Sequence, residues 1–288
     1  MKRHNRLFDT ILNGPSLLIV VSVIIFPILF LMLLSVKGRY DPIFSLHVTV
    51  GNFTKLVVSH LYWMVLQRSA VIAGIVTALT ILMAYPVAYF IAFKGGSRKN
   101  LLILIVTLPF WTSYLLRVFA WKVLLGYNGV INSGLVLAHM PGAPFQALLY
   151  TPQAMTLTLT HAYAAFAILP LYVSLSAIDP KLVEAARDLG AGAVQTFRRV
   201  ILPLSVPGIL SAAVLVFIPT LGDYATPTLV GGTNSSMIGN LIQAQFGKAN
   251  NWPYGAAMSI CSTLLMVTAA GAALAVLRLT SRRMRHVG

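Results

Sequence analysis

The 288 residues include only six carboxylic acids: Asp9, Asp41, Asp179, Glu184, Asp188 and Asp223. Five of them fall in segments that read as aqueous. Asp223 instead closes an apolar run, in the stretch Pro219-Thr-Leu-Gly-Asp-Tyr-Ala-Thr-Pro227. An ionised carboxylate at membrane depth is costly and normally faces a partner or a watered cavity. Three placements are open to it: a pair with Arg117 or Lys122, a carboxylate facing a cationic solute with Tyr224 beside it, or simple exposure at the interface. A second concentration of polar-tipped aromatics follows Pro109, in Phe110-Trp111-Thr112-Ser113-Tyr114. Aromatic faces attract ammonium groups, so Trp111 and Tyr163 are candidates to line a pathway, with Thr112 beside Trp111. Ordinary packing is the competing reading for each. His161, two residues before Tyr163, is expected as a hydrogen-bonded interior histidine.

Other chemistries are excluded by what the residues lack. No serine or cysteine stands at a recognised spacing from His161 for nucleophilic catalysis. The single cysteine, Cys261, lies in an apolar run and precludes an intrachain disulfide. No cysteine-histidine cluster has metal-ligand spacing. No G-x-x-x-x-G-K-[ST] loop occurs, since Gly247-Lys248 is followed by Ala249 and lacks the upstream glycine. The chain is therefore not expected to be an enzyme or to carry a cofactor. If ATP drives its work, the nucleotide is bound by another subunit.

The elements that must position these residues are set by composition. The chain is 58% hydrophobic and 9% charged, with a mean hydropathy of +0.82. Soluble domains carry about 25% charged residues, so this chain cannot cover a water-facing surface. It reads as an all-α, polytopic membrane protein. The net charge of +15 does not indicate nucleic acid, because the cations lie between apolar spans rather than on one face. Six spans of bilayer length are expected, at about Pro15–Val36, Ser69–Phe93, Leu101–Leu125, Pro152–Ile178, Leu204–Tyr224 and Tyr254–Leu279. The first is too long for a signal core and has no cleavage pattern after it. Residues 1–14 and 280–288 flank a transmembrane domain at 15–279.

Orientation follows from the cations. Fourteen Lys and Arg residues fall at the two termini, at Lys94–Lys99 and between Lys181 and Arg199, against seven on the opposite side. Cytoplasmic loops carry the excess, which puts both termini and the 179–203 loop inside. Trp63, Trp121 and Trp252 are expected as anchors in the headgroup region. Gly231–Pro253 is turn-rich, with a short amphipathic patch at Met237–Phe246, and reads as an external helix or re-entrant piece. Prolines at 27, 86, 109, 170 and 219 favour kinks within spans.

The cytoplasmic stretch DPKLVEAARDLGAGAVQTFRRVILP, Asp179–Pro203, reads as a short helix, a glycine break and a second helix. Asp179 is a good N-cap with Pro180 at the first helical position. Leu182, Ala185, Ala186 and Leu189 share one face, and Gly190 supplies the stop. The stretch resembles the EAA loop of ABC importer permeases: Glu184-Ala185-Ala186, then Gly190, then a nine-residue gap to Val200, then Leu202-Pro203, with valine where the family has isoleucine. Pro109-Phe-Trp-Thr-Ser113, Arg117-Val-Phe-Ala-Trp121, Gly231-Gly232, Ile238-Gly239-Asn240, Gln245-Phe246 and Trp252-Pro253 are similar to the spermidine/putrescine branch of that family, and the resemblance covers most of the chain.

That resemblance implies a type I ABC importer permease fold in the bacterial inner membrane. It implies a homologous second permease, two copies of an ATPase and an extracytoplasmic solute-binding protein as partners, with lipid around them and no nucleic acid. Glu184, Ala185, Ala186, Asp188, Leu189 and Gly190 would couple to the ATPase. Asp223, Tyr224, Trp111, Thr112 and Tyr163 would lie on the route of a polyamine. Related permeases carry opines, aminoethylphosphonate, thiamine or ferric ion. An ion-coupled secondary transporter is the rival class; it would usually show an internal repeat with broken helices in matching halves, which the sequence lacks.

Overall fold

The computed structural model describes residues 18–42, 45–145 and 148–285. Among the described residues the secondary structure is helical, with no strand. The chain divides into two compact units, one made by the chain up to Tyr62 with Ile242–Leu265, the other by Trp63–Leu241 with the chain from Met266 on.

Helix α1, Leu18–Ser35, is the first span, and its most apolar stretch is only 11% buried. Its buried C-terminal end is satisfied by a side chain, as a helix end requires. The Asn52 amide, at the start of α2 (Gly51–Val58), donates to the carbonyls of Ser35 at 2.9 Å and Lys37 at 2.7 Å. The buried Lys37 ammonium donates to the Ser45 and His47 carbonyls. Asp41 accepts from the Gly38 amide at 2.8 Å and bonds His47 Nδ1 at 2.9 Å. His47 and the Gly38 amide hold the Asp41 carboxyl below the usual carboxylate range.

In the second unit, α3 (His60–Lys94) carries Pro86 in its interior and continues into the unit from Trp63. Helix α7 (Pro152–Ser176) is the most buried span, 61% of its apolar window against 28% for α9 (Ala193–Gly222). The main core is Ile72, Val76, Ala84 and Ala88 of α3, Met155, Leu159, Tyr163 and Leu171 of α7, and Ala212 and Val216 of α9, closed by Met237. Small residues let these helices approach, as membrane packing favours. Gly208 of α9 lies so close to α7 that a Cβ would stand 2.8 Å from the Pro170 carbonyl oxygen.

Three spans differ from the sequence expectation, the second because α3 begins at His60, nine residues before Ser69. The third is not one helix: α4 (Lys99–Thr107) runs through a 3-10 turn at Leu108–Trp111 and is followed by α5 (Tyr114–Leu125), the stretch Gly96–Trp111 lying at 86° to Tyr114–Leu137. Pro109 has no N–H for the ladder, and Thr112 and Ser113 are extended, with ψ of 149° and 134°. Thr112 Oγ1 donates to the Pro109 carbonyl at 2.7 Å and seals the end. The short α6 (Val130–Leu137) follows α5. The fifth span begins earlier than expected, because the second helix of the 179–203 loop joins it through a wider turn at Phe197–Ile201. Counting the bent pair as one gives six spans.

The final helix α11, Trp252–Arg285, continues past residue 280. Residues 1–14, expected as an N-terminal segment, and the start of the first span lie outside the described residues. The expected external piece is α10, Ile238–Phe246; Met237 and Ile238 before and at its start are fully buried, and the Ile238 amide donates to Ser69 Oγ at 2.8 Å.

Candidate functional sites: an exposed loop helix and a carboxylate among aromatics

Helix α8, Pro180–Asp188, forms as its sequence dictates. Asp179 caps it, accepting from the Lys181 amide at 2.9 Å. At the other end Gly190 takes φ +82°, its amide donates to Arg187 at 2.8 Å, and the Ala191 amide reaches the Ala186 carbonyl at 3.0 Å. That six-to-one and five-to-two pair is a Schellman stop, which needs a left-handed residue at Gly190. No residue of α8 is buried. Val183 packs partly against the main core and Ala186 is half-buried, so these two make the inward edge. Glu184, Ala185, Asp188 and Gly190 are exposed, Leu182 is 50% exposed and Leu189 89%. The apolar face read from the sequence is thus divided: Ala186 turns in while Leu182, Ala185 and Leu189 stay uncovered.

Asp223 follows α9 directly and is 8% exposed. Its Oδ1 accepts from the amides of Ala225 at 2.9 Å and Thr226 at 3.4 Å, capping the next helical turn. Its Oδ2 accepts from the Tyr114 hydroxyl at 2.5 Å, and Thr226 Oγ1 lies 2.6 Å from the same hydroxyl. Among the described residues no ion pair joins Asp223 to Arg117 or Lys122. Arg117 Nη1 donates instead to the Ala162 carbonyl at 2.6 Å, and its guanidinium lies over the Tyr114 ring, 5.9 Å from the centroid. Lys122 lies over the Tyr150 ring.

Aromatic rings connect this carboxylate to the bend. Tyr114 meets Tyr163 at 5.9 Å, Tyr163 meets Phe166 at 5.9 Å, Phe166 meets Phe110 at 4.9 Å, and Phe110 meets Trp111 at 6.4 Å between centroids. Trp111 is 80% exposed. Of the five residues expected on the pathway, Asp223, Tyr163 and Trp111 therefore belong to one continuous array. Thr112 is turned back on Pro109. The Tyr224 ring is exposed, and its carbonyl accepts from the Asn240 amide at 2.9 Å. His161 is hydrogen-bonded, accepting from the Trp121 indole at 3.1 Å, but it is exposed rather than interior.

Sequence reasoning missed Tyr114, the residue on which the array turns. The signal was present: Tyr114 ends the Pro109 aromatic run and stands three residues before Arg117, on the same face of α5.

A six-span helical protein with an exposed, capped loop helix and a carboxylate wrapped in aromatics defines a membrane transport subunit. Comparison with known proteins agrees. The chain belongs to the family of binding-protein-dependent transport system inner membrane components, whose pattern matches residues 84–286. It is a transporter component and a multi-pass inner membrane protein. It is 39% identical over 223 residues to the spermidine/putrescine transport system permease protein PotB of Haemophilus influenzae, covering 77% of each chain. The PotB of Escherichia coli is 38% identical over 218 residues, 76% of this chain and 78% of that protein. A bacterial ABC transporter involved in the import of alginate shares the fold, with a TM-score of 0.71 at 17% identity over 96% of both chains.

Proposed function

We propose that this chain is the permease subunit of an ATP-driven importer of polyamines such as putrescine and spermidine. It works beside a homologous second permease, two copies of an ATPase and an extracytoplasmic solute-binding protein. Both termini and the 179–203 loop lie in the cytoplasm, consistent with the two-to-one excess of cations in those segments. The observation that carries the reading is the arrangement around Asp223: one buried carboxylate, bonded to Tyr114 and continued by aromatic rings toward Trp111. A carboxylate and aromatic faces are the groups that stabilise a desolvated ammonium. The names of the relatives support the same cargo.

Helix α8 is the mechanical contact. Leu182, Ala185 and Leu189 offer an uncovered apolar patch, with Glu184 and Asp188 beside it, to a cleft on the ATPase. Closure of the ATPase dimer carries this helix with it. The Gly190 turn separates α8 from α9, but the second helix of the loop runs through the wider turn at Phe197–Ile201 into α9, so the displacement passes along α9 to Gly222, next to Asp223. The bundle then exchanges an inward for an outward arrangement. A nearly complete exchange requires a bias of about 5.5 kcal/mol.

The test is uptake of radiolabelled putrescine and spermidine by vesicles holding the whole complex with its ATPase facing the lumen and the binding protein outside, with and without ATP inside. Nucleotide-dependent accumulation of either amine, saturable and dependent on the binding protein, is the expected result. Uptake that persists without nucleotide contradicts the importer reading. ATP-dependent uptake of a different solute class, with neither amine competing, contradicts the polyamine.

A further inference from the structure

Arg117 is the one charged side chain of the array for which the proposed pathway has no use, and its placement is unusual. It holds a single carbonyl, that of Ala162, while its buried Nε has no partner. A guanidinium has five donors in a rigid fork, so most of its capacity is unspent. It is also not paired with the nearest carboxylate in the array. Asp223 spends Oδ2 on the Tyr114 hydroxyl, and Arg117 lies against the Tyr114 ring. Tyr114 thus stands between an anion at its hydroxyl and a cation at its ring.

An aromatic face that attracts cations attracts this one first. An arriving ammonium group that is to be held by Tyr114, Tyr163 and Asp223 must take the place of a guanidinium already seated there. We infer that Arg117 is a resident counter-cation, a built-in competitor that occupies the Tyr114 ring when no solute is present and keeps the transit site weak. The inference rests on the proposed polyamine reading. Its logic is kinetic. A carboxylate surrounded by aromatics and shielded from water would hold an amine tightly, and a site that holds tightly releases slowly. Arg117 offsets the charge of Asp223 without an ion pair that would lock both side chains. The free Nε and the single bond to Ala162 leave the guanidinium able to withdraw along α7 as solute arrives.

The experiment compares Arg117→Gln and Arg117→Lys with the wild type in the reconstituted complex, using labelled putrescine. Uptake by the wild type establishes the polyamine reading first; its absence removes that reading and says nothing separate about Arg117. Given wild-type uptake, R117Q is expected to lower both KM and kcat, each by about three- to tenfold, the size of a partly desolvated cation–π contact. R117K is expected to shift both in the same direction by less, because an ammonium can still occupy the ring face. In a Tyr114→Leu background the KM effect of R117Q should vanish. A residue that only ties α5 to α7 gives the opposite pattern, a raised or unchanged KM with lowered kcat, and R117K as damaged as R117Q. That pattern overturns the inference. If R117Q does not accumulate in the membrane, R117K alone decides, since a KM above the wild-type value contradicts a counter-cation.

Discussion

Gly208 gives the sharpest test of how the span core is held. Replacing it by alanine adds one carbon, placed 2.8 Å from the Pro170 carbonyl oxygen, 2.9 Å from Ser174 Oγ and nearer still to Ser174 Cβ. The carbonyl is α7 backbone and the Cβ is fixed to it, so neither can rotate away and the two helices must part. Overpacking of this kind costs about 1–3 kcal/mol. Replacing a helical glycine by alanine returns roughly 0.5–1 kcal/mol of backbone entropy. The net expectation is a loss of about 1–2 kcal/mol, which corresponds to roughly 2–4 °C per kcal/mol in a domain of comparable size. Gly74 in α3 is the internal control, because nothing lies within 4 Å of the Cβ it would gain. Gly74→Ala should be neutral or slightly stabilising. Thermal unfolding of the purified protein in detergent, followed by tryptophan fluorescence, reads both variants. If G208A melts at or above the wild type while G74A is unchanged, the close approach of α9 to α7 is not the constraint argued here.

Three further outcomes are expected. Leu189→Asp changes a side chain that is 89% exposed, so it should leave the melting temperature unchanged while reducing ATP-dependent uptake and co-purification with the ATPase; normal values for both would remove α8 from the coupling. Asp223→Asn keeps the oxygen that caps Ala225 but loses the charge, and should raise the KM for putrescine by about tenfold or more, with Tyr114→Phe giving a smaller rise; an unchanged KM in labelled uptake takes Asp223 off the route. Asp41 has its carboxyl lowered by His47 and Gly38, so the order it lends the loop after α1 is complete above the ordinary carboxylate value near 3.8 and lost as pH falls through the lowered one. Pepsin cleavage in that loop, taken relative to cleavage of an unfolded control peptide at each pH, should therefore rise at the acid end of a scan over about pH 2 to 5, and Asp41→Asn should flatten that ratio.

The sequence carried the spans because hydropathy and length are local properties, and it carried α8 because Asp179, Pro180 and Gly190 fix their own turns. Pro109 marked the site of the break, but a proline inside an apolar run is compatible with a kink or with a full bend. The full bend comes with Thr112 and Ser113 in extended backbone and with Phe110 packed on Phe166 across the chain, and neither residue type prescribes that conformation. The partner of Asp223 was illegible for a similar reason. Charge suggested Arg117 or Lys122, yet α5 presents Tyr114 to the carboxylate and directs Arg117 to a backbone carbonyl. The split face of α8 also depended on tertiary contact, since periodicity grouped Ala186 with three residues that stay uncovered.

The length of α3 has its own consequence. Thirty-five residues make a rod of about 52 Å at 1.5 Å per residue, while the hydrocarbon layer is about 30 Å thick. A rod that long must lean, bend at Pro86 or stand out among the headgroups. Bilayers that differ by a few ångströms are then met by a change in its lean, while the 18 residues described for α1, Leu18–Ser35, have no such spare length to give.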